Sequence, residues 1–185
     1  MPSMQAAPAA IRPYASAMRW IHWMTAALVL LLFVFGGWTH YFDPGEGLLK
    51  ELLYNLHQSF GITVWLLVLI RIVVRLSTGA PKLPPGTPFL IRAAASLNHL
   101  ALYLVLLVQP IVGLLDTNAN GFPLYWFGLF RVPSPIGKQP DAVAHALDGM
   151  HWFGALALLL LVGSHLAGAA YHGLIRRDGV VRHML

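Results

Sequence analysis

The sequence predicts an all-α membrane protein, a four-transmembrane-helix up-down-up-down bundle with both termini cytoplasmic. Three observations carry that reading. Hydrophobic residues make up 57% of the 185 residues and charged ones 10%, with a mean hydropathy of +0.65, far from the balance of a soluble domain. Four apolar runs, roughly 20–38, 56–76, 97–115 and 151–170, are each long enough to cross a hydrocarbon core of about 30 Å as helix. With the N-terminus inside, the inner segments carry Arg12, Arg19, Arg71, Arg75, Lys82, Arg92, Arg176, Arg177 and Arg182, and the outer ones only Lys50, Arg131 and Lys138. The net charge of +5 follows from that topology and requires no nucleic-acid partner.

Each element has a local reason. A segment inside lipid must satisfy its own backbone groups, so the four runs are helices, and too little chain remains for a second domain beside 1–185. No small-residue cleavage site follows the first run, which therefore reads as an uncleaved span. The first outer loop, HYFDPGEGLLKE, carries turn punctuation. The inner loop STGAPKLPPGTP, with Pro81, Pro84, Pro85 and Pro88, breaks any continuous helix and separates two helical hairpins. Within the longest loop, the segment 122–130 is too short to span and rich in aromatics, which places it at the outer interface. Pro110 should kink the third span.

Nine histidines and no cysteine shape the chemistry. The absence of cysteine excludes disulfides, thiolate zinc sites, Cys-ligated iron–sulfur clusters and covalent c-type haem. His151 and His165 lie fourteen residues apart, about 21 Å along a helix and within about 40° of the same face. Helix one repeats that spacing in the stripe His22, Ala26, Val29, Phe33 and Gly36, and helix two in His57, Gly61, Val64, Val68 and Arg71. Topology then sorts the rings by depth: His22 can meet His165 on the inner side, and His57 can meet His151 on the outer side. Two histidine pairs on facing helices suit bis-imidazole iron of two b-type haems, and Gly36 and Gly61 either give the macrocycle room or serve close helix packing. A His-lined metal transporter is the rival, but the spans hold no carboxylates at those depths.

Arg71, on the His57 face, is a candidate partner for a haem propionate. Arg75, His99 and His172 gather near the inner end as candidate quinone-site residues or inner-haem neighbours, because a quinone needs donors to its carbonyls and a proton route. His40, His145 and His183, near loops or termini, read as ordinary interfacial histidines.

RWIHWMTA in the first span, NLHQSFGITVWLLVLIRIVVRL in the second, LNHLALYLVLLVQPIVGLL in the third and MHWFGALALLLLVGSHLAGAAYH in the fourth resemble the bacterial cytochrome b561 family. The resemblance covers Tyr14 to about Arg177 in order and spacing. It implies four transmembrane helices in the bacterial inner membrane and two haem b groups with axial ligands His22, His57, His151 and His165. It also implies electron transfer between an outer donor, superoxide in some members or a periplasmic carrier, and ubiquinone on the inner side. A cytochrome b relay subunit of a membrane dehydrogenase or hydrogenase-type complex is the alternative. The outer segments add a complication for an anionic donor: Asp43, Glu46, Glu51, Asp116, Asp141 and Asp148 outnumber the three outer basic residues.

Overall fold

The computed structural model describes residues 13–42, 47–81, 84 and 86–185. Arg12 and Lys82, counted among the inner charges, and Asp43 and Glu46, among the outer, lie outside them. Four long helices follow in order: α1 (Ser16–Tyr41), α2 (Leu48–Thr78), α3 (Phe89–Ala119) and α4 (Asp141–Ala170). With 26 to 31 residues each, they run about 39–46 Å and project beyond the hydrocarbon on one side or the other. All four are long and apolar enough to cross a membrane.

α1 packs on α2, α2 on α3 and α3 on α4, whereas α4 has much less close backbone contact with α1 and α2. That spacing leaves the centre of the bundle to side chains. Its innermost layer is Val29, Val64, Val68 and Leu158. Val29 lies seven residues after His22, Val64 seven after His57, and Leu158 midway between His151 and His165. The dry core is therefore the layer halfway between the two histidine levels. Large apolar side chains such as Leu30, Val34, Val73, Leu104 and Leu160 point outward, as lipid contact requires.

Polar side chains join the helices where apolar packing alone gives little driving force in lipid. Gln58 Nε2 donates to Thr117 Oγ1 at 3.3 Å, Ser164 Oγ to Asn98 Oδ1 at 3.0 Å, and Gln109 Nε2 to the His151 carbonyl at 2.6 Å. α3 runs on through Pro110, with Gln109 beside it reaching across to α4.

The aromatic segment after α3 is a small antiparallel hairpin, β1 (Leu124–Trp126) and β2 (Phe130–Val132), which adds one non-helical element to the bundle. α2 holds it by hydrogen bonds. Buried Ser59 accepts the Phe127 N–H at 2.8 Å, Asn55 donates to the Tyr125 carbonyl at 2.9 Å, and Trp126 Nε1 donates to Thr63 Oγ1 at 3.3 Å. Phe127, held at φ 50°, sets its ring edge-on to Phe60 at 5.4 Å.

At the opposite end, α4 passes into a π turn (Tyr171–Arg176), and the chain returns through a 3₁₀ turn (Val180–Met184). The return segment is tied to α1: Tyr14 N–H donates to the His183 carbonyl, Trp23 Nε1 to that of Met184, and the Arg19 guanidinium to that of Leu185. The start of α1 and the end of the chain thus share one end of the bundle. Asp178 organises the reversal, accepting from His172 Nδ1 at 2.7 Å and pairing with Arg176 Nε at 3.1 Å. Burial works to raise the Asp178 pKa, but the hydrogen bonds from His172 and the Val180 N–H, with the charges of His172 and Arg176, hold it below the ordinary carboxylate value.

Two outcomes follow from these latches. Ser59→Ala removes the acceptor of a buried amide, a loss of about 1–3 kcal/mol, so hydrogen exchange at the Phe127 amide should accelerate while that of α4 does not. A carboxyl with a depressed folded pKa stabilises above its unfolded pKa and loses that contribution as pH falls through the folded one. Acidification below the ordinary carboxylate range should therefore expose the return segment to proteolysis, and Asp178→Asn should do the same at neutral pH.

Candidate functional site

The structure brings four predicted histidines together as two pairs. His22 of α1 and His165 of α4 have ring centres 6.2 Å apart with planes at 77°; His57 of α2 and His151 of α4 have centres 6.1 Å apart at 81°. Two imidazoles bonded to one metal at about 2.0–2.1 Å, each ring centre about an ångström beyond its nitrogen, have centres about 6 Å apart. Both pairs have the separation of axial ligands across a single iron. Among the described residues, no three His, Asp or Glu side chains converge on one point, and each pair offers two imidazoles.

The surroundings of the outer pair fit that use. A Cβ built on Gly36 would stand 3.0 Å from His57 Cε1, and one on Gly113 would stand 2.8 Å from His151 Cε1. Each ring edge thus rests on a helix backbone that only glycine leaves bare. The His57 ring interacts with the Leu32 carbonyl and the His151 ring with that of Gln109, but neither Nδ1 completes a hydrogen bond of good geometry. Gly61 has nothing within 4 Å.

The inner pair has different neighbours. Arg71 Nη1 donates to His22 Nδ1 at 3.0 Å, and its guanidinium lies 5.6 Å above the Tyr103 ring. His99 lies against His165 with ring centres 5.4 Å apart. Arg71 Nε and Tyr103 Oη are buried without hydrogen-bond partners, so this end holds spare donors next to two imidazoles. Arg75 donates to Tyr14 Oη at 3.2 Å and lies within electrostatic reach of His99. His172 is buried and committed to Asp178 and the return segment. His40 stacks edge-on against Tyr41 at 4.8 Å, and the His183 backbone carbonyl holds Tyr14.

Sequence reasoning left three residues of this site without a role: Gly113, Gln109 and Tyr103. Gln109 bonds the His151 carbonyl, and a Cβ on Gly154, one turn along α4, would collide with its Oε1. The azimuth of α3 against α4 decides these contacts. The one available sequence signal was a lone Gln beside Pro110 within an apolar run.

The sequence model of the prokaryotic cytochrome b561 family matches residues 13–185. Cytochrome b561 homolog 2 of Escherichia coli (strain K12) is 32% identical over 167 residues, covering 89% of this chain and 86% of that one. Cytochrome b561 homolog 1 of the same organism is 25% identical over 166 residues, covering 90% and 93%. A protein named probable superoxide oxidase CybB, from Yersinia pestis, is 25% identical over 170 residues, covering 89% and 91%. Four membrane-crossing helices, histidine pairs spaced for bis-imidazole iron and a match spanning nearly the whole chain agree: this protein belongs to the prokaryotic cytochrome b561 family, membrane electron-transfer proteins that bind haem b.

Proposed function

We propose that the chain holds two b haems, one between His22 and His165 and one between His57 and His151, and passes electrons across the membrane from an outer donor to ubiquinone on the inner side. The observation that carries this is the presence of two equally spaced imidazole pairs fourteen residues apart on α4. Haem b, when bound, supplies a one-electron iron couple at each pair. The protein's own part is to fix ring orientation, exclude water and deliver protons. Gly36 and Gly113 set the outer rings, the Val29, Val64, Val68 and Leu158 layer keeps water from the middle, and His99, Arg71 and Tyr103 supply donors at the inner end.

The orientation rests on the excess of Arg and Lys at the end that holds both described chain ends. Reduction of ubiquinone takes two electrons and two protons, and superoxide gives up one electron to become dioxygen. Two superoxide anions and two protons thus convert one quinone to quinol and release two dioxygen molecules. The name of the Yersinia relative supports superoxide as the donor. Quinone is assigned to the inner end beside His99 and Arg75, where cationic and imidazole donors gather. A second reading, a relay from a basic periplasmic carrier or partner dehydrogenase, is favoured by the acidic outer segments, to which such a carrier would dock.

A redox-difference spectrum of the purified chain should count two b haems. His57→Ala or His151→Ala should remove one spectral component and His22→Ala or His165→Ala the other; loss of both from a single change, or one haem in the intact chain, would break the pairing. Ubiquinone reduction driven by a superoxide source without any partner separates the enzyme from the relay. The glycine contacts give an independent check. Gly113→Ala forces His151 to move and should shift the outer component alone, at about 1–3 kcal/mol of overpacking, whereas Gly37→Ala, with nothing within 4 Å, should shift neither.

A further inference from the structure

At the end of α4 lies a half-open cleft of about 560 Å³, apart from the histidine pairs and lined by His172, Gly173, Arg177, Gly179, Arg182 and Leu185, with Asp178 in its wall. Its charge is positive. Asp178 is committed to His172, Arg176 and the Val180 N–H, while the exposed Arg182 side chain has no partner among the described residues, and Arg177 spends only its Nε, on the Leu174 carbonyl. The backbone adds donors. Arg177 at φ 52° and Gly179 at φ 81° are both left-handed, and the N–H groups of Asp178 and Gly179 have no acceptor among the described residues. Main-chain N–H groups left without acceptors beside guanidinium groups favour an anion. Next to it, Leu174 and Ile175 are 72% and 73% exposed at the end of the apolar span.

We propose that this cleft binds the phosphate of an anionic phospholipid headgroup, with the acyl chains lying along Leu174 and Ile175. Two guanidinium groups and unpaired amides match a phosphodiester, and a planar matching fork is what arginine provides. The adjoining apolar surface distinguishes a lipid from a free phosphate ion, because a soluble anion gains nothing from it. The site lies just beyond the membrane span, at the depth of headgroups, where basic residues attract anionic lipid. Because the same segment is tied to α1 through Tyr14, Trp23 and Arg19, a bound headgroup would also brace α4 against α1.

The test is native mass spectrometry of the full-length chain in mild detergent, with phosphatidylglycerol, phosphatidylcholine and inorganic phosphate as separate probes. Phosphatidylglycerol should be retained at least tenfold better than phosphatidylcholine, and Arg177→Gln combined with Arg182→Gln should abolish that preference. Lysine at both positions should keep most of it, and Arg92→Gln, at an exposed site near the start of α3, should leave it unchanged. If the double variant fails to fold, Arg182→Gln alone, at an exposed position, carries the comparison. Equal retention of the two lipids, or a preference that survives the loss of both arginines, would overturn the proposal. Displacement of the lipid by inorganic phosphate at equal concentration would overturn the lipid as its source.

Discussion

Imidazole inside a hydrocarbon slab is the constraint around which this molecule is arranged. A ring held at membrane depth must remain neutral or be paired, and it must find partners without water. Four such rings meet that demand in two ways. The outer pair sits against bare glycine backbone with carbonyls facing the rings, while the inner pair sits among Arg71, His99 and Tyr103. Everything else of consequence follows from keeping those positions fixed. α4 carries one member of each pair, and the apolar layer at Leu158 separates them.

This arrangement explains why α4 has less close backbone contact with α1 and α2 than with α3. The rings of α4 meet the rings of α1 and α2 at about 6 Å between centres, so side chains rather than close backbone approach join these helices. α3 supplies the stiffness instead. It grips α4 through Gln109 at the outer level and Asn98 at the inner, and hydrogen bonds between helices in lipid have no competing water. α3 also backs both α4 rings directly, Gly113 against His151 and His99 against His165, so the ligands of α4 are positioned from α3.

The helices and the pairing of the four histidines were legible in the sequence, because both depend on rise per residue and on alternating helix direction. The fourteen-residue interval from His151 to His165 places two rings on one face wherever that helix packs. The contacts of Gly113 with His151 and of Gln109 with the His151 carbonyl were not legible. They depend on the rotation of α3 about its axis, which an apolar helix in an apolar solvent hardly records in its pattern. The hairpin at Leu124–Trp126 and Phe130–Val132 was read as an interfacial aromatic segment, since its partners Asn55, Ser59 and Thr63 lie some sixty residues away on α2. His172 looked like a member of the inner cluster from its seven-residue spacing after His165. The π turn and Asp178 instead commit it to the return segment.

The acidic outer segments, a complication for an anionic donor, take on another meaning beside the inner arginines. His151 lies in the field of Asp148, whereas His22, His99 and His165 lie in that of Arg71, and His99 also in that of Arg75. A positive charge favours the state with the extra electron and a negative charge disfavours it. A unit charge about 8 Å from a redox centre, at an effective dielectric near 20, contributes about 2 kcal/mol, or about 90 mV for a one-electron couple. Arg71 is that close to any metal bonded through His22, since its nitrogen touches the far side of the same ring. A haem carboxylate paired to Arg71 would offset part of the field, but Arg75 adds to it. On the proposed assignment these fields would favour the reduced state of the inner centre over that of the outer one. The charge asymmetry from which the orientation is proposed thus also sets the two histidine pairs in opposite fields.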